Sequence, residues 1–252
     1  MTADGAIRLS GVTRTVGGRT LLRDVNLRLM PGEFLCVLGG SGCGKSTLLN
    51  VVAGLDAPTS GTIHVAGGRP SLMFQESALF SWLTAGGNIK FALRLRGVPK
   101  SELRHETDKL LRLVRLPQAY DRRVHELSGG MRQRVALARA LAQGSDVLLM
   151  DEPFAALDAI TCDLLHEELT RVWTTRKLTV LFVTHNVREA VRLGQRVALM
   201  GAHTGRIAHT WDVDIPYPRR IDDANVAAMA REITERLREE IETGGVWERS
   251  IP

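Results

Sequence analysis

Apolar and polar positions alternate near the start of the chain. In Leu21–Leu29, Val25, Leu27 and Leu29 alternate with Asn26 and Arg28, the period-two signature of a half-exposed antiparallel strand. Ile7–Val12 reads as another strand. Met30-Pro31-Gly32-Glu33 has the composition of a tight turn. Phe34–Leu38 is apolar throughout, which predicts a strand buried on both faces of a parallel sheet. A glycine-rich stretch follows, then a helix over Lys45–Ala53 that Gly54 ends. Ile63–Val65 and Leu72–Gln75 read as short strands.

From about residue 76 to 126 the period changes. Leu103, Leu110, Leu111, Val114 and Leu116 recur at helical spacing among many charges, and strand candidates vanish. This predicts a mainly helical insertion. Val147–Met150 and Leu178–Val183 return as buried strands, each after a helical stretch, which implies βαβ units and a largely parallel sheet. A last helix is expected over Asp222–Thr243. There Val226, Met229, Ile233, Leu237 and Ile241 fall three or four apart and form one apolar face. That face suits packing on the domain, with a second subunit as the alternative.

The 252 residues are 44% hydrophobic, enough for one α/β domain with a large core and a smaller subdomain. The net charge of +5 fits nucleic acid, a polyphosphate or an anionic membrane surface, and equally a solvated arginine-rich surface. Charge alone selects none of them. Cys36, Cys43 and Cys162 show no metal-ligand spacing and no disulfide framework, which points to a reducing compartment. The first residues lack the pattern of a secretory signal. No apolar run approaches the ~20 residues of a membrane span. The expectation is a soluble protein that meets a membrane only through a partner.

Candidate chemistry begins at Gly39-Gly40-Ser41-Gly42-Cys43-Gly44-Lys45-Ser46, which fits G-x-x-x-x-G-K-[ST] between a strand and a helix. Glycines let the backbone curl so that successive N–H groups face phosphate oxygens, and the helix N-terminus adds its dipole. Lys45 supplies a point charge to the β- and γ-phosphates. The Ser46 hydroxyl can ligate Mg²⁺, and Thr47 can donate to a further phosphate oxygen. A chance match arises in about one chain of this length in a hundred, before the strand and helix are required.

Asp151 and Glu152 end the apolar run that starts at Val147, and in open α/β sheets ligands sit beyond the carboxyl ends of strands. Asp151 is the candidate for Mg²⁺ through its water shell, and Glu152 for polarising the attacking water. Gln75, at the end of a short strand, can offer its amide to Mg²⁺ or to the water. His185, after the strand Leu178–Val183, can bond the γ-phosphate, although a structural histidine is otherwise commoner. Ser128-Gly129-Gly130 opens a second helix, Met131–Ala142. A serine cap with exposed glycine amides is again an anion site, or plain capping. With one nucleotide already held by Gly39–Thr47, Ser128 and Gly130 are expected to meet the γ-phosphate of a nucleotide on another copy.

These residues together resemble the ATPase subunit of an ATP-binding cassette (ABC) transporter over nearly the whole chain. Gly39–Ser46 looks like Walker A, Gln75 the Q-loop, Leu127–Gln133 the signature and Val147–Pro153 Walker B. Ala156-Leu157-Asp158 looks like the D-loop and His185 the switch histidine. The resemblance implies a P-loop NTPase core with a mainly parallel sheet, an N-terminal antiparallel β subdomain and an inserted α-helical subdomain. It divides the chain into a cassette over residues 1–220, with the helical subdomain at about 76–142, and a helical extension over 221–252. It implies ATP and Mg²⁺ as cofactors, with Gln75, Lys45, Glu152 and His185 catalytic and Ser46, Gln75 and Asp151 on the metal. Asp158 is implied to touch the partner beside its Walker A loop.

Trp82-Leu83-Thr84, Arg96-Gly97-Val98-Pro99, Val213-Asp214-Ile215-Pro216 and Pro218-Arg219-Arg220 add a likeness to the nitrate/sulfonate/taurine importer subfamily. Such subunits are head-to-tail dimers with ATP sandwiched between them, peripheral on the cytoplasmic face of the membrane. They lie beneath two transmembrane permease subunits that a solute-binding protein feeds. Residues 76–126 would be the docking face. A cassette acting on nucleic acid is the alternative, disfavoured by the compact single cassette. Some positions depart from the family pattern. Val16 stands where an aromatic residue usually stacks on adenine, and Arg14 is a candidate substitute. Asn186 replaces an aspartate after the switch histidine, Gly194-Gln195 a small residue and an aspartate, and Cys162 an arginine. Gly86-Gly87 is expected to loosen the start of the helical region.

Overall fold

In the computed structural model, residues 5–155, 157–202 and 204–248 are described, with side chains as far as Glu242 in the last helix. They form two compact units, residues 1–69 with 179–252, and residues 70–178.

In the first unit, β1 (Ile7–Val16) and β2 (Arg19–Leu29) form an antiparallel hairpin. Both strands are longer than the apolar pattern alone predicts. Gly17 and Gly18, at φ 56° and 80°, make the tight reversal that lets pairing run to Val16 and Arg19. Along β2, Val25, Leu27 and Leu29 are buried while Asn26 and Arg28 face solvent, as the alternation requires. Every residue of β3 (Phe34–Leu38) is buried. α1 (Lys45–Val52) follows it, and β4 (Ser60–Val65) pairs antiparallel with β1.

The second unit begins with β5 (Ser71–Met73). The strand expected over Leu72–Gln75 therefore stops earlier, and Gln75 lies in the turn beyond it. Only Ser71, Leu72 and Met73 find partners, in Leu148, Leu149 and Met150 of the parallel strand β6 (Val147–Asp151). The next side chain, Phe74, is 45% exposed. Between these strands come α2 (Ala85–Leu95), α3 (Leu103–Leu113) and α4 (Gly129–Ala142), and after β6 comes α5 (Ala159–Arg176). α2 packs on both α3 and α4, and α4 packs on β5 and α5. The expected loosening at Gly86 is a correction. Gly86 N donates to the Tyr120 carbonyl at 2.9 Å, and a Cβ there would lie 2.6 Å from the Tyr120 ring. This glycine permits close packing. Thr84 caps α2 by accepting from Gly87 N.

The chain returns to the first unit at β7 (Thr179–Thr184), buried throughout and parallel to β3. α6 (Val187–Leu193) follows. Two strands that the apolar pattern did not reveal come next, β8 (Arg196–Met200), parallel to β3, and β9 (Ile207–Asp212), antiparallel to β8. The local order is β7-β3-β8-β9. α7 (Ala224–Glu248) packs on α6, with Val226, Ala230 and Ile233 buried. Ile241, on the expected apolar stripe, is 46% exposed, so cover on that face runs out along the helix. Trp211 Nε1 donates to Glu232 at 2.9 Å and ties β9 to α7. No helix among the described residues is long and apolar enough to cross a membrane.

Candidate nucleotide site

The first unit places Gly39–Thr47 between the end of β3 and the start of α1. The helix N-cap is Gly44 at φ 108°, a residue with no side chain to cap the first turn. The first-turn N–H groups are the orphan donors of any helix start, and here they carry the positive end of the dipole. Glycine is required at 44: the backbone is left-handed, and a Cβ would stand 2.6 Å from the Leu21 carbonyl oxygen. Gly40 and Gly42 differ, since a Cβ on either meets nothing within 4 Å. Their faces of the loop are open. Lys45 is buried, and its ammonium donates to the Gly39 and Gly40 carbonyls at 2.9 Å each. That bends the loop around one charge. Cys43 is buried, Ser41 and Ser46 are exposed and Thr47 is half-buried. An uncapped helix start, open glycines and a fixed ammonium fit a polyphosphate.

His185 follows β7 and is exposed, while Thr184 before it is buried. Asn186 is the N-cap of α6: its Oδ1 accepts from Arg188 N at 3.1 Å and Glu189 N at 3.3 Å. Asparagine caps as well as aspartate, so this departure preserves the turn. Thr184 Oγ1 accepts from Asn186 N at 3.0 Å and donates to the buried Glu189 carboxylate. These three side chains fix the backbone on either side of His185. Sequence reasoning missed Thr184 and Glu189, although Asn-x-x-Glu ahead of a helix is a readable capping signal.

Gln195 also has a reason. Its Oε1 accepts from Phe34 N at 3.2 Å, holding the start of β3. Val16 is 49% exposed at the hairpin end. Arg14, the candidate substitute, is engaged with Asp56 at 3.4 Å.

In the second unit Asp151 is the last residue of β6 and Glu152 the first beyond it, both half-buried. Glu152 has φ 40°. A non-glycine residue there is uncommon, and Pro153 would itself push the preceding residue toward extended conformations. Such strain persists where surrounding structure imposes it, and it collects at functional sites. Gln75 is exposed in its turn. Ser128 caps α4 by accepting from Met131 N at 3.3 Å. Gly130 lies against Thr161, whose Cγ2 a Cβ would strike. Asp158 caps α5 by accepting from Thr161 N at 3.0 Å. Hydrogen bonds from the Thr161 side chain and then from its N–H hold the exposed carboxyl below the usual carboxylate range. Ala156 lies outside the described residues. Cys162 Sγ points at the Phe154 and Leu157 carbonyls.

Comparison with known proteins gives this arrangement a family. The ABC transporter family profile matches residues 22–155. The chain is 41% identical over 246 residues to the aliphatic sulfonates import ATP-binding protein SsuB of Bacillus cereus, covering 95% of this chain and 94% of that protein. It is 46% identical over 193 residues to the taurine import ATP-binding protein TauB of Roseobacter denitrificans, covering 74% and 72%. Among solved structures, the dimeric post-hydrolysis state of the ATP-binding cassette MJ0796, bound to ADP and Pi, superposes with a TM-score of 0.72. It is 29% identical and covers 83% of this chain and 100% of that one. The nucleic-acid alternative finds no support in these likenesses. The chain belongs to the ABC transporter family, as an ATP-binding and ATP-hydrolysing cassette with a P-loop NTPase fold.

Proposed function

We propose that the chain energises an importer of a small anion of the sulfonate, taurine or nitrate kind, working as a head-to-tail dimer beneath two permease subunits. It sits peripherally on the cytoplasmic face of the membrane and receives solute indirectly, through a binding protein. The observation that carries the nucleotide half of this reading is the uncapped start of α1 with Lys45 buried in its loop. The transport half rests on relatives that are themselves import subunits.

Gly39 to Thr47 hold the phosphates through backbone amides and the Lys45 ammonium. Val16 lies where the base would rest and offers only an aliphatic surface. Ser46, Gln75 and Asp151 present hard oxygen donors, which suits Mg²⁺, an ion bound through few protein ligands plus substrate phosphates. Mg²⁺ would neutralise charge that develops on the transferred phosphoryl group. Glu152 polarises the attacking water and takes up its proton, and His185 orients that water and bonds the γ-phosphate. Ser128 and Gly130 offer a cap hydroxyl and a glycine amide to the nucleotide of the other copy, with Asp158 beside that copy's loop. Residues 1–220 form the cassette, with a helical subdomain at about 76–142 whose stretch 76–126 is the permease-facing surface, and 221–252 form a helical extension. Exposed Trp82 and Phe91, each with its ring centroid 5.1 Å from that of Phe80, tilted and edge-on respectively, give that surface an apolar centre.

The test is uptake of labelled taurine, an alkanesulfonate and nitrate by cells with and without this chain. Loss of one uptake activity, restored by the wild-type chain, is expected. Unchanged uptake of all three would refute the anion assignment.

A further inference from the structure

α4 starts at the Ser128 turn and then reaches out twice to one loop. Gln133 Nε2 donates to the Gln75 carbonyl at 2.9 Å. Six residues on, the Arg139 guanidinium donates to the carbonyls of Ala78 at 2.6 Å and Ser77 at 3.0 Å, and lies 5.7 Å from the Phe80 ring centroid. Six helical residues rise about 9 Å, so one rigid rod grips the loop at two separated points. The loop itself lies between the end of β5 at Met73 and the start of α2 at Ala85.

Gln133 is 7% exposed, and its Oε1 is buried without a hydrogen-bond partner. A buried amide with an idle acceptor is a poor packing residue, since an apolar side chain would fill the space without an unmet polar atom. Its donor is what the position uses. Gln133, Gln75 and Gly129 also line one cavity of about 540 Å³. Arg139 fits the same account: burial pulls its pKa down, so two carbonyl acceptors hold a desolvated cation in place.

We propose that Gln133 and Arg139 are positioning residues that fasten the Gln75 turn to the helix carrying Ser128 and Gly130, so that the two move as one piece. This rests on the reading of Gln75 and Ser128–Gly130 as nucleotide-facing groups. A shift of the Gln75 side chain toward or away from its ligand is then a shift of the α4 start. Gln133 and Arg139 act through Gln75 and touch no nucleotide themselves.

The experiment is steady-state ATP hydrolysis by the full chain as wild type, Gln133→Met, Gln75→Ala and the double variant. Methionine keeps the length of the side chain and removes its N–H. Gln133→Met is expected to lower kcat about tenfold, the scale of one buried hydrogen bond, with KM for ATP within about twofold. In the Gln75→Ala background the same change is expected to cost less than about twofold, because no side chain is left to position. Equal losses in both backgrounds, or a raised KM with kcat intact, would overturn the proposal. Arg139→Lys keeps the charge beside Phe80 but loses the two separate guanidinium nitrogens that reach the Ala78 and Ser77 carbonyls. It is expected to lose about threefold with the same dependence on Gln75, and it decides the matter if Gln133→Met does not fold. Wild-type turnover in Gln75→Ala would remove the nucleotide reading of Gln75 and the proposal with it. Equal losses beside an inactive Lys45→Ala would remove the proposal alone.

Discussion

Helices α1 and α4 both begin beside glycine, and they use the same backbone differently. α1 starts after Gly44, which has no side chain to cap it, and a buried lysine curls back to the loop carbonyls. α4 starts after Ser128, whose own hydroxyl accepts from Met131 N. The first start has no capping side chain of its own and adds a cation. The second satisfies part of its own need. By this difference the proposed reading gives α1 the main hold on a polyphosphate and α4 the added contacts. That division of labour is what the proposed head-to-tail dimer requires.

Removing the cation strikes the comparison hardest. Lys45→Ala is expected to lower ATP turnover by at least about a thousandfold, the scale of losing a dominant electrostatic contact to a developing charge. A phosphate-release assay reads it, and near-normal turnover would place the cradle elsewhere. Glycine positions sharpen the distinction between shape and ligand. Gly44→Ala forces a side chain into a left-handed position 2.6 Å from a carbonyl oxygen, and is expected to cost about 1–3 kcal/mol in denaturant melts. Gly40→Ala points into open space and is expected to change stability by less than about 0.5 kcal/mol while weakening nucleotide binding. Equal melts for the two would contradict the assignment of Gly44 to shape and Gly40 to ligand.

A smaller effect concerns the base. Val16 offers no ring, and Arg14 is engaged with Asp56. If Val16 faces the base, stacking worth about 0.5–1.5 kcal/mol is forgone, and GTP is expected to compete within several-fold of ATP. A strong ATP preference in a displacement assay would show that another group reads the base. The smallest effect is at Asp158. Its folded pKa is depressed by the bonds from Thr161, so its contribution is present above the ordinary value of 3.8 and is lost as pH falls through the folded value. The melting difference between wild type and Asp158→Asn should be constant at neutral pH and shrink below about pH 4. A difference that grows on acidification would contradict this sign.

What the sequence revealed follows the range of each interaction. The strand, loop and helix around Gly39–Ser46 are contiguous, and so are the five buried residues of β3, so period and composition sufficed. β9 was missed because Trp211 is its one buried residue, and an edge strand with so little apolar pattern leaves no period to read. The end of β5 was misjudged because pairing with β6, rather than the run of apolar residues, sets it. The positive φ of Glu152 runs against the local preference before Pro153, so only the surrounding structure could reveal it. Gln133 and Arg139 find their acceptors on backbone carbonyls about sixty residues away, and a backbone carbonyl carries no side-chain signature.

The central claim is that the α1 cradle of one copy is completed by the α4 start of another. Light scattering of Glu152→Gln with ATP tests it most directly, because loss of the residue that polarises water should slow hydrolysis by about 10²–10⁴-fold and let the ATP-bound assembly accumulate. The account predicts a dimer of twice 27.7 kDa with ATP and a monomer without nucleotide. A monomer at saturating ATP would contradict it.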